Sequence, residues 1–172
     1  MNDLPESVFH DMDQIDWSSF PQPGWNTKNS VMMALRDFNS VHDDQSSEKV
    51  YNRLLYALGN NHAGTYFPVA IPVIAFLGDV IVFGNVWQRV TALDVLIDYS
   101  LSFCPDPQFS ESPGPDGRLH SLEDLMRKAI ANVRPAVEKL PPRGEQAGGR
   151  ESDLAKELLA AIDGFPPTQM GS

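Results

Sequence analysis

Residues 60–77 read Asn-Asn-His-Ala-Gly-Thr-Tyr-Phe-Pro-Val-Ala-Ile-Pro-Val-Ile-Ala-Phe-Leu. A polar turn around His62 and Gly64 leads directly into a nearly continuous apolar segment. Helical periodicity ends just before this turn and resumes just after it, so the stretch predicts the corner between two packed helices. The second helix, over about 67–82, is apolar nearly all round and should be covered on several sides. We expect it to be central in the fold and to bend at Pro72.

Apolar residues at helical spacing predict further helices on both sides of this corner. Capping residues and prolines mark the ends of these helices, which are predicted at about 30–38, 47–58, 85–103, 121–140 and 151–162. A weaker helix is predicted after Pro5, and the helix over 121–140 should bend or split at Pro135. Loops rich in proline and glycine are expected at 18–27, 105–117 and 141–149. The run 78–84 could form a strand, but no partner strand is predicted for it.

These patterns predict an all-α fold. We expect a single helical domain over residues 1–164, built from stacked antiparallel helix pairs that resemble degenerate repeats. An irregular acidic arm should precede the helices, and residues 165–172 should form a flexible tail.

The chain has 172 residues and a formal net charge of −10, and most of this charge lies near its N-terminus. Residues 1–48 hold nine acidic and two basic residues, a subtotal of −7. An acidic surface repels nucleic acid and attracts basic partners. Solubility alone would also account for the charge, and the sequence leaves both interpretations open.

The composition also bears on the cellular compartment. The single cysteine, Cys104, allows no intrachain disulfide and no cysteine-based zinc site. The N-terminus lacks the basic and apolar regions of a signal peptide. The apolar run from Tyr66 to Phe83 contains two prolines, a glycine and an aspartate, unlike a membrane span. We expect a cytoplasmic protein with neither a membrane partner nor a nucleic-acid partner.

Catalytic and metal-binding patterns are not apparent in the sequence. The four histidines, at positions 10, 42, 62 and 120, do not have the spacing of metal ligands. Cys104 lies at a predicted helix end and should be buried and inert. The chain contains no nucleophile elbow, P-loop or dinucleotide-binding glycine pattern. The prediction is therefore that the protein is not an enzyme and uses no cofactor and no metal.

The polar turn has two interpretations. In the structural one, Asn60 and Asn61 favour the turn, His62 bonds to a helix end and Thr65 caps the next helix. In the functional one, the turn projects His62 and Tyr66 toward a partner.

The run from Tyr51 to Leu77 resembles a bacterial group of small HEAT-like α-helical proteins. In that group a helix ends in a turn of the type His-x-Gly-Thr/Ser-x-Tyr/Phe, and a proline-containing helix follows. The matching residues are His62, Gly64, Thr65, Tyr66, Pro68 and Pro72. The next helix, with Trp87, Arg89, Ala92, Leu93 and Leu96, fits the following HEAT-like helix, so the resemblance covers residues 47–103.

This resemblance implies a protein-interaction scaffold, of the kind found as immunity proteins of polymorphic or Rhs-type toxins. We therefore expect an immunity protein that neutralises a cognate protein toxin, such as a basic nuclease-type effector domain, by stoichiometric binding. The alternative is a general helical-repeat adaptor without a toxin partner. The predicted partner-binding residues are Asp11, Asp13, Asp16, Trp17, Trp25, Asp43, Asp44, His62 and Tyr66. The tryptophans could instead pin the arm to the body, and the sequence does not determine the oligomeric state.

Overall fold

The computed structural model describes residues 3–140 and 147–166, and these residues are mostly helical. The α-helices are α1 (Glu6–Asp13), α2 (Ser30–Arg36), α3 (Asp44–Leu58), α4 (Ala70–Phe83), α5 (Val86–Leu101), α6 (Leu122–Ala131), α7 (Arg134–Glu138) and α8 (Ala147–Asp163). Two 3₁₀ helices span Trp17–Ser19 and Asp37–Ser40. The short strands are β1 (Gly59–Asn60), β2 (Thr65–Tyr66), β3 (Cys104–Pro105), β4 (Glu111–Pro113) and β5 (Leu119–Ser121). The prediction of a mainly helical chain is confirmed.

The short strands are the part of the fold that the sequence did not predict. β2 pairs antiparallel with β1 and parallel with β3, so it ties the polar turn to the segment after α5. β4 and β5 form an antiparallel pair. The expectation of a strand-free chain is wrong, because two or three residues are too few to show an alternating pattern. The predicted loop at 105–117 contains β4.

Helix α4 is central, as expected, but it begins at Ala70 and not near residue 67. Pro72 is therefore its third residue. The N–H groups of the first turn have no partner within the helix, so the N–H that proline lacks costs nothing there. The later start removes the cause of the predicted bend. Residues 78–83 belong to the same helix, so the strand considered for 78–84 does not form.

Side-chain caps fix the starts of α3 and α5. Asp43 accepts from the backbone N–H of Ser46 at 2.7 Å, and the Ser46 hydroxyl accepts in return from the N–H of Asp43. Asn85 accepts from the N–H of Gln88 at 3.0 Å, while the Gln88 amide oxygen accepts from the N–H of Asn85. Each pair is a capping box that satisfies two otherwise unpaired donors. α3 consequently begins about three residues before the predicted start.

The core lies around α4 and α5, whose inward side chains are almost completely buried. α5 packs against α3, α4 and α8, and α4 packs against α1, α6 and α7. The N-terminal arm is folded onto this body through Phe9, which is fully buried, and through the side-chain amide of Asn26, which donates to the carbonyl of Ala57 at 2.7 Å.

The C-terminal helices follow the predicted pattern with shifted ends. Ser121 caps α6 by accepting from the N–H of Asp124 at 3.4 Å, and the predicted helix 121–140 splits into α6 and α7 next to Pro135. α8 begins at Ala147, four residues before its predicted start. Most of the predicted linker at 141–149 and of the predicted tail at 165–172 lies outside the described residues.

Candidate functional site

An acidic groove of about 520 Å³ runs between α3, α5 and α8. Its described lining includes five carboxylates and one guanidinium. The carboxylates are Asp44 and Glu48 on α3, Asp94 and Asp98 on α5, and Glu157 on α8, and the guanidinium is that of Arg150 on α8. On α3 and on α5 the two acids are four residues apart, which places them on the same face one turn apart.

Arg150 spans the mouth of this acidic groove. Its two terminal nitrogens donate to Asp44 and Asp94, each at 2.8 Å. The Asp94 side chain is 22% exposed, whereas that of Asp44 is 72% exposed. Because Arg150 and Asp44 are exposed, the ion pair between them contributes little to stability. Arg150 shows directly that the groove accepts a guanidinium between two carboxylates.

Burial and neighbouring charges set the electrostatics of the groove. Burial raises the pKa of Asp94, the charges of Asp98 and Asp44 raise it further, and Arg150 opposes both effects. The Tyr51 hydroxyl donates to Asp98. The pKa of Tyr51 is raised, first by burial and then by this hydrogen bond. The like charges are therefore only partly compensated, and an incoming cation would lower their repulsion.

The chemistry of the groove is that of a cation-binding surface. Among the described residues, its lining contains neither histidine nor cysteine. Within residues 3–140 and 147–166, no group of three or more histidine, cysteine, aspartate or glutamate side chains is arranged to hold a metal ion. Lysine or arginine side chains from a protein partner suit the geometry, because both are long enough to reach carboxylates on separate helices.

Two of the predicted acids, Asp43 and Asp44, lie at this end of α3. Asp44 lines the acidic groove, whereas Asp43 is occupied as the cap of the helix. The hydroxyl and the N–H of Ser46 hold the pKa of Asp43 below its usual range. Asp43 is exposed and charged, but its carboxylate is already engaged.

The acids of the N-terminal arm lie elsewhere on the molecule. Asp13 forms an ion pair with Arg36 at 2.8 Å, and Asp16 accepts from the N–H of Ser18 to cap a 3₁₀ helix. Asp11 is exposed and makes no side-chain hydrogen bond or ion pair with the described residues. Of these three acids, Asp11 is therefore the freest to meet a partner.

Trp17 and Tyr66 were predicted to contact a partner, but both are buried. Trp17 is 5% exposed and its indole N–H donates to the carbonyl of Met12, so it anchors the arm. Tyr66 is 1% exposed and packs against Tyr99 in the core. Neither side chain presents a surface to another protein, and we remove both from the candidate contact residues. The sequence could not show this, because the residue type alone does not distinguish an exposed aromatic side chain at an interface from a buried one in the core.

Trp25 differs from Trp17, because it is 46% exposed. It stacks on Tyr56 with ring centroids 5.0 Å apart, and its indole N–H donates to the Tyr56 carbonyl at 3.0 Å. Tyr56 is itself 49% exposed, so the two rings form an aromatic patch on the surface. The patch both pins the arm and remains available for contact.

The polar turn is built mainly by Asn60, whose side-chain oxygen accepts from the N–H groups of His62 and Ala63, each at 3.2 Å. Gly64 has a φ of 65°, a conformation that favours glycine. His62 is exposed and stays available to a partner. Thr65 does not cap a helix, because it lies in β2, away from the start of α4, and its buried hydroxyl bonds to no described residue.

Cys104 is exposed, so the prediction that it is buried is wrong. Its backbone belongs to β3, where the N–H donates to the carbonyl of Gly64 at 3.0 Å. Alternate side chains of a strand point to opposite faces, and the pairing with β2 leaves the Cys104 side chain outside.

Sequence reasoning missed most of the acidic groove, namely Glu48, Tyr51, Asp94, Asp98 and Glu157. One pattern could have indicated part of it. The acids at 44 and 48 and those at 94 and 98 each recur after four residues, off the apolar stripe of their helix. Only the packing of α3 against α5 brings these two acidic faces together.

Comparisons of the chain with family models, with curated proteins and with solved structures found no match. Among the helices of the described residues, none combines the length and the apolar character needed to cross a membrane.

Proposed function

We propose that this chain is an immunity or inhibitor protein, which neutralises a cognate protein toxin by stoichiometric binding. The observation that carries the proposal is the acidic groove, with five carboxylates and one guanidinium in its described lining. The proposed partner is a basic effector domain of the nuclease type. The proposal includes a cytoplasmic location and the stacking of helix pairs in a HEAT-like arrangement.

Electrostatics supply the mechanism. An acidic surface steers a basic domain toward itself and accelerates encounter, and complementary charges then fix the orientation of the complex. A nuclease that binds the phosphate backbone needs lysine and arginine around its active site. The acidic groove would engage those side chains and cover the site, with Arg150 displaced from Asp44 or retained beside the incoming cation.

A general adaptor is the second candidate, and the Trp25–Tyr56 patch favours it. Aromatic side chains are enriched at protein interfaces because they bury a large area at low entropic cost. Such a patch selects for apolar partners and does not require a basic toxin.

The deciding experiment is co-expression with the product of the adjacent gene, followed by pull-down and a growth-rescue assay. The wild-type chain should form a one-to-one complex and restore growth. The double variant Glu48→Lys/Glu157→Lys reverses two exposed charges of the groove and should lose both. A matched control, Glu111→Lys/Asp153→Lys, makes the same change in net charge outside the groove and should still rescue.

A harmless neighbouring gene product, or no complex with it, would overturn the immunity proposal and leave the adaptor. Equal rescue by the groove variant and the control would show that the acidic groove is not the contact surface.

A further inference from the structure

A second groove, of about 460 Å³, lies between α4 and the α6–α7 segment. We call it the apolar groove. Its α4 wall includes Ile71, Ala75, Asp79 and Val82, which recur at helical spacing over three turns, about 16 Å of helix axis. Ala75 is exposed and Val82 is 54% exposed, so α4, the most apolar helix of the core, also presents an uncovered apolar face. Contiguous apolar surface of this kind marks an interaction site more often than scattered residues do.

Asp79 is the one carboxylate among the described residues that line the apolar groove. It is half-buried and makes no hydrogen bond and no ion pair with any described residue. Lys139 lines the opposite wall, but its ammonium forms no ion pair with Asp79. Burial raises the pKa of Asp79, and the charge of Asp11 on α1 raises it further. A cation placed in the groove would therefore relieve an uncompensated, partly desolvated charge.

The shape and the chemistry of the apolar groove together define its occupant. A valley along two helices accepts a third helix, whose side chains repeat with the same spacing as the wall. The surrounding wall requires apolar side chains at i, i+3 or i+4 and i+7, and Asp79 requires a positive charge in their midst. A purely apolar helix would bury the carboxylate unpaired, which costs free energy.

We propose that the apolar groove binds an amphipathic helix of a partner protein, which presents one lysine or arginine within its apolar face. The cation pairs with Asp79, and the apolar residues cover the face formed by Ala75 and Val82. This surface shares no lining residue with the acidic groove, so the inference stands independently of the toxin proposal.

The first step of the test is selection from a display library of helix-forming peptides that vary at the apolar and basic positions. Wild-type protein should enrich peptides with apolar residues at helical spacing and one lysine or arginine among them. Ala75→Arg places a bulky cation in the groove and should abolish their binding. Ala160→Arg, at an exposed alanine of α8 outside the groove, is the matched control and should bind like the wild type.

The second step isolates the ion pair. Asp79→Asn should weaken a selected lysine peptide by about tenfold, the size of a charge-assisted hydrogen bond, and should barely affect its lysine-to-glutamine analogue. Thermal unfolding of each variant establishes that it is folded.

Three results would overturn the proposal. They are the absence of enrichment, enrichment of peptides without a basic residue, and equal weakening of both peptides by Asp79→Asn. Analytical ultracentrifugation tests whether a second copy of this chain occupies the apolar groove. A wild-type dimer that Ala75→Arg dissociates and Ala160→Arg preserves would replace the partner helix by this chain itself.

Discussion

Gly59 lies so close to the neighbouring strand that a side chain has no room there. A Cβ atom at this position would lie 2.0 Å from the carbonyl oxygen of Thr65 and 2.8 Å from the Cα of Tyr66. Both contacts are with backbone, which cannot move without breaking the pairing of β1 with β2. The backbone of Gly59 is extended, a conformation that any residue could adopt. Glycine is therefore required by the close approach of the strands and not by its own torsion angles.

We predict that Gly59→Ala lowers the free energy of unfolding by about 3 kcal/mol or more, because overpacking forces the backbone apart. Urea denaturation monitored by circular dichroism measures the change. Gly24→Ala is the control, because nothing lies within 4 Å of its added Cβ, and it should change stability by less than about 0.5 kcal/mol. Equal effects of the two substitutions would show that β1 and β2 are not packed as described.

Tyr99 is only 4% exposed, and its buried hydroxyl bonds to no described residue. An unsatisfied buried hydroxyl destabilises the fold, so Tyr99→Phe should raise the free energy of unfolding at pH 7 by about 1 kcal/mol. Tyr56→Phe, at an exposed ring, should have little effect on stability. A loss of stability in Tyr99→Phe would indicate that the hydroxyl has a partner.

The same residue predicts a pH dependence. The pKa of Tyr99 is raised well above its ordinary value, mainly by burial and further by Tyr66. Above about pH 10 the unfolded chain loses the phenolic proton while the folded protein keeps it, so stability falls as pH rises, by up to about 1.4 kcal/mol per pH unit for each such group. The advantage of Tyr99→Phe over the wild type should therefore grow between about pH 10 and pH 11. A constant difference across this range would contradict the assignment.

At the next scale up, α8 is held to α5 by a buried ion pair between Arg89 and Glu151. The Arg89 side chain is 11% exposed and that of Glu151 is 1% exposed. The Arg89 guanidinium also donates to the carbonyl of Gly84. Removing one member of such a pair leaves an uncompensated buried charge, whereas replacing both members leaves none.

We predict that Glu151→Met or Arg89→Met alone costs about 3 to 5 kcal/mol and that the double variant recovers most of this loss. Chemical denaturation of the four proteins completes a double-mutant cycle. Arg134→Met/Asp163→Met is the control. It removes the exposed pair of Arg134 with Asp163 and that of Arg134 with Glu138, each at 2.7 Å, and should cost less than about 1 kcal/mol. Additive losses at Arg89 and Glu151 would show that the two side chains do not interact.

Among the secondary-structure elements, the long helices could be predicted from the sequence and the short strands could not. The long helices were predictable because their apolar residues repeat over several turns and because caps such as Asp43 and Asn85 mark their starts. β1 to β3 were not, because each has only two residues and their pairing depends on contacts between distant segments. The position of Pro72 within the first turn of α4 required the exact start of the helix, and helix ends are the least certain part of a sequence pattern.

The candidate site was less predictable than the fold. The concentration of acids near the N-terminus led to Asp44, but not to Glu48 and Tyr51 on the same helix. The other walls of the acidic groove come from α5 and α8, fifty or more positions later in the chain. The apolar groove depends in the same way on the contact between Asp79 of α4 and the α6–α7 segment. Local patterns identify which residues are free of the core, and only the packing of helices shows which of them meet.

Considered as a whole, the molecule has two candidate binding surfaces of opposite character. α5 contributes to the acidic groove and packs against α4, which forms one wall of the apolar groove. Because the two grooves share no lining residue, substitutions in one should leave the other unchanged, and their effects should be additive. A partner that occupies both would combine rapid electrostatic encounter with apolar contacts that slow its release.

Substitutions of acids inside the acidic groove and of acids elsewhere on the surface should differ in their effects on the rate of association with the toxin. Glu48→Gln/Glu157→Gln should slow association with a basic toxin domain by about three- to tenfold at low salt and should leave dissociation nearly unchanged, because exposed charges act mainly on encounter. The difference from wild type should vanish near 1 M salt, where the screening length is about 3 Å. Surface plasmon resonance over a salt series measures both rates.

Glu111→Gln/Asp153→Gln changes the net charge equally and should slow association less. An equal slowing by this control would assign steering to the total charge of the protein, and a change confined to dissociation would contradict a steering role for Glu48 and Glu157.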